Sequence, residues 1–143
     1  MSHSHPPFPQ DRVLVVPWVF EEPDGVSHDA RSPYVEQFWL GVLGPSTTIL
    51  LRYLSAELEA SPAGFVLHYD ELATQLGLTG RGRHSPFMRT LYRLCRFDMA
   101  RLTPSGHLAV RRGVPSLGNR QLARLPVGLQ QRHSFVLKKL QAV

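Results

Sequence analysis

The stretch Tyr69-Asp70-Glu71-Leu72-Ala73-Thr74-Gln75-Leu76-Gly77-Leu78 decides how this chain is read. Asp70 is a good N-cap, because its carboxylate can accept from the first free backbone N–H groups of a helix. Gly77 is a good stop, because a helix commonly ends on a residue with positive φ. Between them Leu72, Ala73 and Leu76 recur at helical spacing, so the stretch predicts a short helix, Glu71 to Leu76, with one apolar face. A loop holding two glycines and several basic residues follows, Thr79-Gly80-Arg81-Gly82-Arg83-His84. Ser85-Pro86 then opens a second helix running to about Phe97, serine as N-cap and proline at the first helical position.

The neighbouring segments extend the same order. Upstream, Gly44 or Ser46 caps a helix running to about Ala60, with Ile49, Leu50, Leu54 and Leu58 as its apolar positions and Leu51 and Tyr53 on its flanks. Phe65-Val66-Leu67-His68-Tyr69 is a short β-prone segment. Downstream, Met99–Thr103 and His107–Arg112 flank Pro104-Ser105-Gly106, which suits a type I turn closing a hairpin with a bulge. Residues 46–112 thus read helix, strand, short helix, loop, helix, hairpin. This order, with the Glu71-Leu72-Ala73-x-x-Leu76-Gly77 core, resembles the winged helix-turn-helix superfamily of DNA-binding proteins, and in composition the chain resembles actinobacterial regulators. The resemblance covers about half of the chain. It implies a mainly α fold with a small β-hairpin, with extra helices at both ends. The loop from Leu78 to His84 departs from it, since a tight helix-turn-helix has three or four residues there. Either the turn is enlarged or the loop has its own ligand.

The second helix carries the functional expectation. At about 100° per residue, Phe87, Leu91, Leu94 and Cys95 share one apolar stripe, while Arg89, Arg93 and Arg96 fall in a roughly 60° arc opposite it, with Tyr92 beside them. Solvated helix faces usually mix charge signs. Three arginines with only Asp98 nearby repel one another unless an anion arrives, and arginine's planar fork suits phosphate and guanine edges. If Leu102, Leu108 and Val110 point inward along the hairpin, Arg101 and Arg111 project outward with His107 near the tip. The expected DNA-binding set is therefore Arg81, Arg83, Ser85, Arg89, Arg93, Arg96, Arg101, His107 and Arg111, with Ser85 capping the recognition helix where a phosphate oxygen would be favoured.

Charge is distributed to match. The formal net charge is +5. Residues 1–80 carry Arg12, Arg31 and Arg52 against ten acidic residues, a net of −7. Residues 81–143 carry thirteen Arg or Lys against Asp98 alone, a net of +12. Such asymmetry points to a polyanionic partner, double-stranded DNA in the first reading. The alternative is a protein-interaction module on the same scaffold, its basic half docking an acidic partner or the acidic clusters Glu21/Glu22/Asp24 and Glu57/Glu59 of another copy. RNA is a third, favoured only by aromatic side chains exposed on a sheet.

The remainder frames this core. With 43% apolar and 19% charged residues, the composition is that of an ordinary globular chain. Residues 1–31 are expected as a flexible, acidic arm, and 32–143 as one winged-helix-like domain that includes the C-terminal helices. His3 and His5 lie in the tail and are expected to be solvated. Val13-Leu14-Val15-Val16 is a strand or an extended segment packed on the body. Ser32-Pro33 opens a helix with an aromatic stripe, Tyr34, Val35, Phe38, Trp39 and Val42, expected in the core. The same aromatic group with Trp18 could instead line a small-molecule pocket. Residues 116–125 and 126–141 read as one or two helices broken near Pro126. They would either close the core or, like the N-terminal helices, form a homodimer seam.

No apolar run reaches the roughly 18 residues of a membrane span, no secretory signal is seen, and the default compartment is the cytoplasm, beside the nucleoid for a DNA-binding chain. Cys95 lies on the buried stripe and reads as a small hydrophobe. His68, His84, His107 and His133 have no metal-ligand spacing, and there is neither a nucleophile elbow nor a phosphate loop. No enzyme activity, metal or cofactor is expected.

Overall fold

The computed structural model describes residues 8–19, 25–80 and 82–141. His3, His5, Glu21, Glu22, Asp24 and Arg81 lie outside the described residues. Gly44 divides the first helical region. Its φ of +84° is a conformation that L side chains rarely adopt, so the chain turns sharply there. Before it, a π-helical turn, Val35–Trp39, runs into the short helix α1 (Leu40–Leu43). After it comes α2 (Pro45–Ala60), whose Pro45 sits in the first turn where its missing N–H is not needed. The aromatic stripe is core: Tyr34, Val35, Phe38 and Trp39 are all buried. Ser32 does not act as the expected cap, since its buried hydroxyl has no hydrogen-bond partner. On α2, Leu50, Leu51, Leu54 and Leu58 are fully buried. Ile49 is instead 52% exposed, because the buried stripe centres one residue later than the periodicity suggested.

The chain is mixed α/β. Its strand content exceeds a lone hairpin, although helices remain the larger share. β1 (Arg12–Pro17), β3 (Phe65–His68), β4 (Ala100–Leu102) and β5 (Leu108–Val110) form one sheet in the order β3-β1-β5-β4. β1 pairs antiparallel with β3, Val13 opposite Leu67, and parallel with β5, Val15 opposite Leu108. Val13 and Val15 alternate into the core, as a strand's two-residue period requires. The division at residue 31 therefore does not describe residues 12–17, which supply a central strand of the same body. β2 (His28–Asp29) pairs with β6 (Gly113–Val114) as a separate two-stranded ribbon.

α3 (Tyr69–Leu76) ends on left-handed Gly77, and α4 (Pro86–Arg96) follows the loop. His68, not Asp70, is the residue before α3, so the helix starts two residues earlier than its sequence cap suggested. The β4–β5 turn is as expected. Gly106 donates to the Thr103 carbonyl at 2.9 Å, and its φ of +81° suits the bulge position that follows a type I turn. α5 (Asn119–Ala123) and α6 (Val127–Gln141) are separated near Pro126, whose carbonyl accepts from Leu129 and Gln130. Among the described residues no helix is long and apolar enough to cross a membrane.

Candidate nucleic-acid interface

Helix α4 is built as its sequence implies. Ser85 is its N-cap, with its hydroxyl accepting from the Met88 N–H at 3.2 Å. Phe87, Leu91 and Leu94 are buried, and Cys95 is half-buried. Arg89, Tyr92, Arg93 and Arg96 are on the exposed side. The arginines are nonetheless not equivalent. Arg93 turns toward the C-terminus of α1, where its Nε donates to the Leu43 carbonyl at 2.5 Å and its guanidinium to the Val42 carbonyl at 3.0 Å. These carbonyls belong to the last turn of a helix, which leaves them without intrahelical donors and carries partial negative charge. Arg93 also lies over the Phe97 ring, 5.1 Å from its centroid. It caps α1 and ties it to α4.

That role has a measurable consequence. Arg93→Ala should lower stability by about 2 kcal/mol, because two charge-assisted hydrogen bonds to helix-end carbonyls are lost. Arg93→Lys should recover less than half of that, since an ammonium lacks the fork that reaches both oxygens. Urea denaturation midpoints decide it, and an unchanged midpoint for the alanine variant would contradict the capping role.

Arg89 lines the same side. It borders a cleft of about 300 Å³ together with Leu43, Gly44, Ser46, Thr47 and Arg93. The ion pairs found among the described residues join Arg31 to Asp29 and Glu59, and Arg52 to Glu36. All lie in the acidic half of the chain. Arg89 and Arg96 have no carboxylate partner there.

The hairpin arginines part company. Arg101 is exposed on β4, with its guanidinium 4.7 Å from the centroid of the Trp18 ring. Arg111 is only 5% exposed. Its Nε donates to the Asp98 carbonyl at 2.6 Å and its guanidinium lies 4.8 Å from the same Trp18 ring. The expectation that Arg111 projects from the wing is thus corrected. Leu108 and Val110 do face inward, but Arg111 follows the strand's end and folds back beside Trp18, which β1 carries there through the Trp18 N–H bond to the Val110 carbonyl. Ser85 is likewise 6% exposed and engaged with its own helix. His107 is half-buried, and its backbone closes the turn against Thr103.

The loop after α3 borders a second cavity of about 650 Å³. Arg83, Asp11, Asp70, Tyr69, Phe8 and Tyr92 are on its walls. Phe8 meets the Tyr92 ring edge-on at 5.2 Å, and the Tyr69 hydroxyl donates to the Pro9 carbonyl at 2.8 Å. Burial pushes the Tyr69 hydroxyl up to about 12, with Tyr92 and Asp11 adding to it. Arg89 and Arg96 thus lie exposed on α4 with Arg83 in the loop before it, while Arg101 and Arg111 lie against the Trp18 ring. Sequence reading missed Trp18 as the post between two arginines. The signal was present only as a tryptophan following a β-branched run.

Among the described residues no group of three or more His, Cys, Asp or Glu side chains is placed to hold a metal ion. Comparison of the chain with protein families, with curated proteins and with solved structures finds no match.

Proposed function

We propose that the chain binds double-stranded DNA as a winged helix-turn-helix regulator, with α4 as the recognition helix and β4–β5 as the wing. The carrying observation is the exposed face of α4, where Arg89 and Arg96 stand opposite the buried Phe87, Leu91 and Leu94 without carboxylate partners among the described residues. The run α2, β3, α3, α4, β4, β5 supports the same reading, with β1 added to the sheet between β3 and the hairpin. In this proposal Arg89 and Arg96 read base edges or phosphates, while Arg83 and Arg101 hold the backbone on either side. Arg93, Arg111 and Ser85 keep the frame that presents them.

Duplex binding at two salt concentrations tests the proposal. Affinity should fall steeply with salt, because each neutralised phosphate releases counterion. Arg101→Ala should weaken binding to all sequences and flatten the salt slope by about one. Arg89→Ala should cost about 1–3 kcal/mol on the preferred sequence if Arg89 reads a base. Absence of binding at low salt, or binding indifferent to salt, would overturn the proposal. Co-purification with an acidic protein and no nucleic acid would turn it toward the adaptor reading.

A further inference from the structure

Helix α6 is held to the body by an unusual residue. Among its described side chains His133 is the only one buried, at 1% exposure. Leu129 and Val136 pack beside it only partly buried, while Val127 and Phe135 are 67% and 65% exposed. A surface helix normally docks through an apolar stripe. Here the deepest contact is an imidazole.

Its surroundings are specific. The His133 Nε2 lies 2.6 Å from the Tyr34 hydroxyl, and the ring meets the Phe38 ring edge-on with centroids 4.9 Å apart. The Tyr34 oxygen also accepts from the Leu117 N–H at 2.8 Å. Behind Tyr34, the His28 ring stacks at 3.6 Å, and its Nε2 is 2.9 Å from the Ser116 hydroxyl. With one Tyr34 lone pair occupied by Leu117, the arrangement satisfied at both ends has Tyr34 O–H donating to an unprotonated Nε2.

A proton on Nε2 removes that acceptor, so the phenol gives up this bond or redirects it to Ser116, its other side-chain partner. It also places a cation in a buried site whose titratable neighbours are Tyr34 and, beyond it, His28. The carboxylates on the adjoining elements, Glu36 and Asp29, are exposed and lie beside Arg52 and Arg31 instead. The helix itself brings Arg132, Lys138 and Lys139 and no acidic residue. Nothing in this set rewards the charged imidazole.

We propose that α6 is a pH-sensitive latch, docked on the π-helical turn while His133 is neutral and released when it is protonated. Burial lowers the His133 pKa from its ordinary value of 6.5. The docked state thus holds fewer protons than the free one. Docking is at full strength above pH 6.5 and weakens as the pH falls below it.

Amide hydrogen exchange of the full chain tests the latch. After correction for intrinsic exchange and referred to α2, the open population of α6 should rise between pH 7.5 and 5.5, with about tenfold as the ceiling set by the ordinary imidazole value. His133→Gln, which keeps an acceptor for Tyr34 but does not titrate, should abolish that rise, and His28→Gln should retain it. No rise in the natural chain, or its persistence in His133→Gln, overturns the proposal. Should His133→Gln not fold, NMR titration of the natural chain decides: a His133 pKa at or above 6.5 overturns the latch, and one below it supports it. DNA binding is not a readout in any of these experiments, so the latch and the proposed function fail separately.

Discussion

Phe38→Ala should destabilise the protein by about 3–5 kcal/mol, the range for emptying a fully buried aromatic site. Phe38 has no exposed surface and sits in the π-helical turn. Its ring contacts Tyr34, with centroids 4.9 Å apart, on one side and the His133 edge on the other. The cavity would therefore open where the N-terminal helical region, the 115–118 segment and α6 converge. Since domains have about 5–15 kcal/mol in total, the loss would leave the fold near its threshold. Phe38→Leu should cost clearly less, because most of the volume is kept. The measurement is the urea midpoint at pH 7.5, where His133 is neutral. A cost below about 1 kcal/mol for the alanine variant would mean that the site collapses around the gap and that the aromatic cluster does not organise the core.

The second large effect is chemical. Burial pushes the Cys95 thiol up to about 12 from an ordinary 9.0, with the Asp98 carboxylate contributing. Three powers of ten in thiolate fraction follow, and the thiolate is the nucleophile. Iodoacetamide at pH 8 should accordingly alkylate Cys95 about a thousandfold more slowly in the folded chain than in urea. Cys95 is the chain's single cysteine, so mass spectrometry reads the rate without ambiguity. Comparable rates in the two states would show that the α4 stripe opens readily, against its full burial of Leu91 and Leu94.

These two sites differ in how far the sequence alone exposes them. The burial of Cys95 follows from the spacing of Phe87, Leu91 and Leu94, because helical geometry places residues three and four apart on one face. The aromatic stripe is legible for the same reason, although its π-helical winding is not. Widening one turn changes hydrogen-bond partners without changing which residues are apolar. The exposed arc of α4 was legible too. What its arginines do was not. Arg93 reaches carbonyls about fifty residues earlier in the chain, at Leu43 and Val42, and Arg111 folds beside Trp18, a residue distant in sequence that the pairing of β1 with β5 brings next to it. Parity along a strand predicts which way a side chain leaves the backbone, but not whether another segment has been laid across its path.

The sequence by itself determined the local grammar. Proline at the starts of α2 and α4, Gly44 and Gly77 at helix ends, the Pro104–Gly106 turn and the apolar face of α4 are all short-range matters, decided within one or two turns of chain. Tertiary structure alone decided that β1 enters the middle of the sheet, that one of α4's arginines is a helix cap, and that α6 rests on a histidine. Each depends on pairing groups far apart along the chain. Such pairings are selected by whole-molecule burial and hydrogen-bond satisfaction, for which a local residue pattern carries no record.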